Sequence, residues 1–217
     1  MNKSFLTTTL TPLVALVLCC LLYVSGNFQI IFAAVIVLLA SAIEHRKKLF
    51  SALGFQRKNI NAKSLLVYAP LLGIAIFLIY GYILIPTVTT LTGEPMDFSV
   101  FEQFKGDLSA SLSLLLYIWI SAAFGEEIVF RGYLMTQFTK FLGSSKISLV
   151  LNILIFGVLF GFIHAYQGIS GQIITGIMGM LLAVIFHIRK NDLWFNVVLH
   201  GCIDTVAVVY MYYGWAL

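Results

Sequence analysis

Charged side chains are scarce in this chain. Only 10% of its 217 residues are Asp, Glu, Lys or Arg, whereas 60% are hydrophobic. The mean hydropathy is +0.99. Because about a quarter of the residues in a soluble globular domain are charged, the composition excludes an ordinary soluble domain. It predicts a polytopic membrane protein that lies in a lipid bilayer.

Cysteines are also few. Cys19 and Cys20 are neighbours in the first apolar run, and Cys202 lies in the last one. This placement excludes the disulfide framework of a small secreted domain. We interpret the three residues as small apolar side chains inside membrane helices.

Several enzyme signatures are missing from the sequence. There is no His-Glu-x-x-His zinc helix, no Gly-x-Ser-x-Gly elbow and no phosphate-binding glycine loop. These absences argue against nucleophilic serine or cysteine catalysis. The lack of an internal repeat also argues against the many transporter folds that are built from repeated halves.

Long apolar runs dominate the chain, and a membrane-spanning helix needs about 20 apolar residues. The runs predict an all-α membrane bundle with about seven transmembrane helices, at fewest six and at most eight. We expect a single membrane domain over 1–217, with N-terminal helices and loops in 1–107 and the motif-bearing helices in 108–214. A short amphipathic or loop stretch is expected after residue 133. The predicted spans are 10–25, 28–43, 64–89, 108–133, 147–166, 169–188 and 193–214.

The loops differ in charge. Segment 44–63 is strongly basic, whereas segment 92–107 is acidic, and Arg189 and Lys190 separate the last two spans. Basic loops remain on the cytoplasmic side of a membrane. The pattern predicts a multi-pass protein with a cytoplasmic N-terminus, and it explains the net charge of +4 without a nucleic-acid partner. The compact chain is typical of a bacterial cell membrane.

Two adjacent carboxylates, Glu126 and Glu127, lie within the fourth predicted span. A charged group inside a bilayer costs roughly 2.5 kcal/mol or more, so the pair indicates function. Glu127 and Arg131 are spaced i, i+4, which favours an ion pair along one helix. Glu126 lies about 100° further around the helix and has no partner there. It is therefore a candidate general base.

Three further polar residues interrupt late apolar runs. Phe160 and His164 are spaced i, i+4, as are His200 and Asp204, so each pair shares a helix face. A lone histidine in a membrane helix is more often a hydrogen-bonding partner of another helix. Two histidines on separate helices, with an unpaired glutamate on a third, favour one shared site. Asp204 either orients His200 or faces a common cavity with it.

The late spans carry three motifs in a fixed order: Glu126-Glu127-x-x-x-Arg131, Phe160-x-x-x-His164 and His200-x-x-x-Asp204. Together they resemble the CPBP family of intramembrane proteases. That family includes the type II CAAX prenyl endopeptidases and bacterial abortive-infection or bacteriocin-processing proteins. The resemblance covers about residues 108–210.

The resemblance implies an intramembrane endopeptidase that acts on a peptide or a membrane-associated protein. Glu126, assisted by His164, would activate water, and His200 with Asp204 would stabilise the oxyanion. Since the family carries Asn or Asp at the last position, the acidic Asp204 is alternatively a group that holds the His200 tautomer. The implied supporting residues are Glu127, Arg131 and Phe160.

Three alternatives stay open at this point. No cofactor is expected because no compact metal-ligand spacing occurs, but Glu126, His164 and His200 are the candidates for a zinc site. A proton-coupled transporter would use Glu126, His164 and Asp204 as a relay. A non-catalytic regulator would instead bind a partner membrane protein through its helix faces.

Overall fold

A computed structural model describes residues 6–26 and 29–215 of the chain. These residues form helices, turns and loops, with no strand among them. Apart from the one-turn α3, each helix corresponds to one predicted span, so the all-helical bundle is confirmed. The helices are α1 (Thr11–Val24), α2 (Ile30–His45), α3 (Leu49–Ala52), α4 (Ser64–Thr92), α5 (Leu108–Leu142), α6 (Lys146–Phe162), α7 (Ala165–Ile188) and α8 (Leu193–Tyr213).

Four of the described helices, α4, α5, α7 and α8, are long and apolar enough to cross a membrane. Helices α1, α2 and α6 have 14, 16 and 17 residues. They are shorter than the span of about 20 residues that a bilayer core needs. The outer faces carry exposed apolar side chains, such as Val24 at 82% and Leu91 at 80% exposure. Such faces fit a lipid environment.

The amphipathic stretch predicted after residue 133 is present as Met135–Leu142, which continues α5 without a break until Gly143, whose φ is +79°. One predicted boundary was wrong. Helix α6 ends at Phe162, so His164 lies in a turn and not within a helix. The predicted start of the second span at Phe28 lies outside the described residues.

Wide, π-type turns precede three prolines. These turns cover Leu6–Leu10, Ser64–Tyr68 and Tyr80–Leu84, and Pro12, Pro70 and Pro86 follow them. Proline lacks an N–H and its ring clashes with the carbonyl of the preceding helical turn. A wide turn gives the ring room. Helix α4 therefore passes both of its prolines without a break.

Helix α5 lies at the centre of the bundle. It packs against α2 on one side and against α8 on the other. The core between these helices contains Ala33 of α2, Ala123 and Val129 of α5, and Val197 of α8. This position surrounds the middle of α5 with protein and not with lipid.

Helices α6 and α7 approach closely through glycines. A Cβ added at Gly161 would collide with the backbone carbonyl of Gln172. A Cβ at Gly176 would come within 3.3 Å of the carbonyl oxygen of Gly157. Gly157 and Gly161 have the small-xxx-small spacing, and these contacts show that it lets the backbones of α6 and α7 pack directly against each other.

The connecting segments fall at two ends of the bundle. Segments 46–63 and 189–192 meet at one end, where the Leu193 N–H donates to the Gly54 carbonyl at 3.3 Å. Segments 93–107 and 163–167 meet at the other end, where the Asp97 N–H donates to the Gln167 carbonyl at 3.0 Å.

The two ends carry opposite charge. The first end holds every Lys and Arg of the described residues except Lys105 and Arg131, and we call it the basic end. The second end holds Lys105 together with four acidic residues, and we call it the acidic end. These acidic residues are Glu94, Asp97, Glu102 and Asp107.

Candidate active site

Helix α8 places three polar side chains on one face. Its N-terminus is capped by Asp192, whose side chain accepts from the Phe195 N–H at 3.3 Å. Asn196, His200 and Asp204 then recur at intervals of four residues. This spacing brings them to the side of α8 that faces the centre of the bundle.

Helix α5 supplies the two carboxylates from a wide segment. Residues Trp119–Leu134 form a π-type helix. This conformation is rare in proteins as a whole, but where it occurs it is often at a functional site. At the start of this segment, the Trp119 indole N–H donates to Thr205 Oγ1 at 3.2 Å. A Cβ at Gly201 would come 2.7 Å from the Trp119 ring. Helices α5 and α8 are therefore held close beside the carboxylates.

Glu127 is the hub of a buried polar network. Its side chain has no solvent exposure and accepts from Arg131 Nη1 at 2.9 Å, which confirms the predicted i, i+4 ion pair. Asn196 Nδ2 donates to the other carboxylate oxygen at 3.2 Å. Arg131 Nη2 also donates to the Gly179 carbonyl at 2.8 Å. The network joins α5, α7 and α8, and it keeps both buried charges paired.

The same carboxylate fixes the tautomer of His200. His200 Nδ1 lies 3.0 Å from Glu127 Oε1. Because a carboxylate only accepts, Nδ1 carries the proton and donates it. The other ring nitrogen, Nε2, lies 3.6 Å from Asp204 Oδ2 and 3.9 Å from Glu126 Oε2. Glu127 is therefore the hydrogen-bonding partner of Nδ1, whereas Asp204 lies on the Nε2 side of the ring.

One cavity receives all four predicted catalytic residues. Glu126, His164, His200 and Asp204 all line it, and its volume is about 380 Å³. Glu127 and Arg131 do not line it but lie behind it. The remaining walls are mostly aromatic and aliphatic. They include Phe77, Tyr80, Phe98, Tyr117, Phe160 and Tyr166.

His164 reaches the cavity from the turn between α6 and α7. Its Nδ1 lies 2.8 Å from the Phe160 carbonyl. Since a carbonyl only accepts, Nδ1 donates, and Nε2 is the nitrogen left free to act as a base. Burial lowers the pKa of His164, and the Phe160 hydrogen bond opposes that effect. His164 is not within ion-pair distance of Glu126, so a small molecule between them is needed to connect the two side chains.

Residues 108–206, from the start of α5 to the last turns of α8, match the family model described as "Rce1-like: Type II CAAX prenyl endopeptidase Rce1-like". This part of the chain is therefore similar to the type II CAAX prenyl endopeptidases. No curated protein and no solved structure matches the chain. The match covers the three motif-bearing helices and agrees with the resemblance drawn from their residues. It supports an integral membrane peptidase with a peptide or membrane-protein substrate.

Metal ligands do not converge in the described part of the chain. No group of three or more His, Cys, Asp or Glu side chains there could hold a metal ion. The zinc candidates Glu126, His164 and His200 share the cavity without forming such a group. We therefore assign no residue to a metal.

The network contains residues that sequence reasoning missed. Asn196 binds Glu127, and its signal was its position four residues before His200 on the same helix face. The Gly179 carbonyl accepts a hydrogen bond from Arg131. This partner could not be predicted from the sequence, because every residue has a backbone carbonyl. Trp119 packs against Gly201, which lies within the third motif, and only the structure reveals that contact.

Proposed function

We propose that this CAAX-type protease is an endopeptidase that hydrolyses a peptide bond within or near the bilayer, with water activated by Glu126 and His164. The observation that supports this most is the meeting of four polar side chains in one cavity, although they come from α5, the α6–α7 turn and α8. Peptide hydrolysis needs a base for water and a group that faces the developing negative charge.

Glu126 has the properties of the base. Its carboxylate accepts no hydrogen bond from any described residue, and His200 Nε2 lies 3.9 Å away. Glu126 and His164 line the same cavity, and the proposed water molecule lies between the Glu126 carboxylate and the free Nε2 of His164. Neither residue is committed to the Glu127 network, so both are available for proton transfer.

The proposed reaction conserves its protons. The water oxygen attacks the carbonyl carbon of the scissile bond while Glu126 takes a proton from the water. The resulting tetrahedral intermediate collapses, the carbon–nitrogen bond breaks, and Glu126 returns the proton to the leaving amine. The products are a new carboxylate terminus and a new amino terminus.

His200 and Asp204 are proposed to stabilise the oxyanion of that intermediate. When the His200 ring is protonated, Nδ1–H donates to Glu127 and Nε2–H is free to donate into the cavity. Asp204 Oδ2 lies 3.6 Å from Nε2, which is beyond hydrogen-bond distance, so this N–H can face the oxyanion. A protonated Asp204 would add a second donor, since only the acid form carries an O–H.

The experiment uses purified protein in lipid with a quenched peptide that contains an apolar segment. We expect Glu126→Gln to lower cleavage by a factor of about 10²–10⁴, the usual contribution of a general base. Glu102→Gln, on the exposed acidic loop, is the matched control and should cleave like the unchanged protein. Equal cleavage by Glu126→Gln would refute the mechanism.

The regulator and transporter alternatives give different outcomes. A cellular phenotype that survives both Glu126→Gln and His164→Gln would favour a regulator that binds a partner protein. Uptake that depends on a pH gradient, without cleavage, would favour a proton-coupled transporter. The match to a protease family supports hydrolysis over both.

The proposed setting is a bacterial cell membrane with the N-terminus in the cytoplasm. The basic end of the bundle supports this orientation, because basic loops stay on the cytoplasmic side. Peptide leaders, secreted signalling peptides and bacteriocin precursors are the proposed substrates. Each offers a short apolar segment close to a membrane.

A further inference from the structure

We infer that the catalytic cavity opens at the outer face of the membrane, and that its substrate is an apolar segment of a peptide or protein exported to that face. The substrate part of this inference rests on the proposed hydrolytic function. The direction of the opening does not, because it follows from the shape and charge of the bundle.

The rim of the cavity is built from the acidic end. Gln29 lies before α2, Met96 and Phe98 lie in the loop before α5, and Tyr166 and Gln167 lie in the α6–α7 turn. All five line the cavity that contains Glu126. No residue of the basic-end segments 46–63, 143–145 and 189–192 lines it.

The opposite side of the site is closed by packed protein. Arg131 and Tyr133, which follow the carboxylates toward the basic end, are only 1% and 2% exposed. Leu193 is completely buried, and a Cβ at Gly132 would lie 3.1 Å from the Leu53 carbonyl. Close contacts of this kind leave no passage from the cavity to the basic end.

The charges then give the direction in the membrane. The end that closes the site carries the basic residues, including Arg57, Lys58 and Lys190, whereas Lys105 is the one cation of the described loops at the open end. Positively charged loops stay in the cytoplasm. The open end therefore lies outside, and water and substrate enter from there.

The lining selects the kind of substrate. Aromatic and aliphatic walls bind an apolar chain, and the acidic loop at the rim disfavours a segment flanked by acidic residues. A peptide that has crossed the membrane, or a protein segment at the outer leaflet, meets these conditions. A lipid-modified C-terminus on the cytoplasmic side would meet only the closed end.

The test measures access without measuring hydrolysis. Single cysteines are introduced into a background in which Cys19, Cys20 and Cys202 are replaced by alanine. Val100→Cys reports the acidic end, and Ser144→Cys, exposed at the basic end, is its matched control. Ala122→Cys reports the cavity itself, one turn before Glu126. The probe is a charged, membrane-impermeant thiosulfonate reagent applied to intact cells and to inverted vesicles.

We expect the reagent to modify Val100→Cys and Ala122→Cys in intact cells, and Ser144→Cys only in inverted vesicles. The reverse pattern would overturn the inference. Modification of Ala122→Cys from the cytoplasmic side, alone or equally with the outside, would also overturn it.

A second arm separates this inference from the proposed function. The protein is reconstituted in one orientation, determined by the same cysteine labelling, and the quenched apolar peptide is added to one side only. Cleavage restricted to the side of Val100 supports the inference, and cleavage restricted to the other side overturns it. If neither side gives cleavage, the hydrolytic function and the substrate class both fail, while the labelling still decides where the cavity opens.

Discussion

His200 donates from Nδ1 to Glu127 Oε1 at 3.0 Å, so the motif of α8 is held by the second glutamate of α5. This bond divides the glutamate pair into two roles. Glu127 is enclosed among Arg131, Asn196 and His200, whereas the neighbouring Glu126 lines the cavity. Replacing Glu126 or Glu127 by glutamine is therefore expected to have different effects, although the two residues are adjacent.

Glu127→Gln should destabilise the fold. The change leaves the buried Arg131 cation without its anion, and removal of one partner from a buried pair costs about 3–5 kcal/mol. Thermal unfolding in detergent should show the loss, whereas Glu126→Gln should unfold like the unchanged protein. Replacing both partners, as Glu127→Gln with Arg131→Met, should recover part of the stability because no lone charge is left. A double variant as unstable as Glu127→Gln would contradict the ion-pair explanation.

Asn196→Leu should lower kcat more than it changes KM. Asn196 donates to Glu127 and to the Leu182 carbonyl at 2.9 Å, and the loss of a buried donor costs about 1–3 kcal/mol. The matched control is Asn152→Leu, which removes a buried donor from the Met135 carbonyl, far from the cavity. Both variants should lose stability, but only Asn196→Leu should reduce the turnover of folded protein. An equal kcat for the two would argue against a positioning role for Asn196.

The acid side of the pH profile should depend on His164. Burial lowers the pKa of this imidazole below its ordinary value of 6.5, so the neutral form persists to lower pH than in an exposed histidine. Activity that needs the neutral ring should fall only below that value as the pH decreases. The measurement is kcat/KM against pH for the unchanged protein and for His164→Gln. The variant should be slower and should lose this part of the profile; an identical acid limb would exclude His164 as its origin.

Gly161→Ala should disturb the α6–α7 contact more than Gly176→Ala does. The new methyl group at position 161 would meet the fixed backbone carbonyl of Gln172, whereas at position 176 the nearest atom is 3.3 Å away. Overpacking of this kind typically costs about 1–3 kcal/mol. Thermal unfolding should rank Gly161→Ala as the less stable variant, and the opposite order would show that α6 and α7 shift freely.

Removal of divalent metal should leave cleavage unchanged, since no described cluster of ligands could hold an ion. The measurement is cleavage before and after dialysis against a strong chelator, with zinc added back to a second sample. Loss of activity that zinc restores would identify a metal enzyme and would reassign Glu126, His164 and His200 as ligands.

Much of the bundle could be predicted because each span is a local property of the sequence. Runs of apolar residues located every long helix, and the i, i+4 spacing alone identified the Glu127–Arg131 pair. The end of α6 was missed because its last residues are as apolar as those before them. The helix stops two residues before His164, where no hydropathy signal exists.

Contacts between distant helices could not be read from spacing. Glu127 and His200 are 73 positions apart, and nothing local tells which of two adjacent glutamates meets the ring. The sequence predicts, as one alternative, that Asp204 orients the His200 ring, because His200 and Asp204 share a face of α8. Only the packing of α5 against α8 puts Glu127 at Nδ1 and leaves Asp204 at Nε2.

The wide segment of α5 sets the direction in which the side chains of the glutamate–arginine motif point. Trp119 is anchored on α8 at the start of that segment, and Glu126 follows seven residues later. Deleting one residue between them, with the winding of the helix otherwise unchanged, would turn every later side chain by up to about 100°. The glutamate–arginine motif would survive intact in the sequence, yet its carboxylates would no longer face the histidines. The number of residues between Trp119 and the motif is therefore as much a requirement for the proposed site as the motif itself.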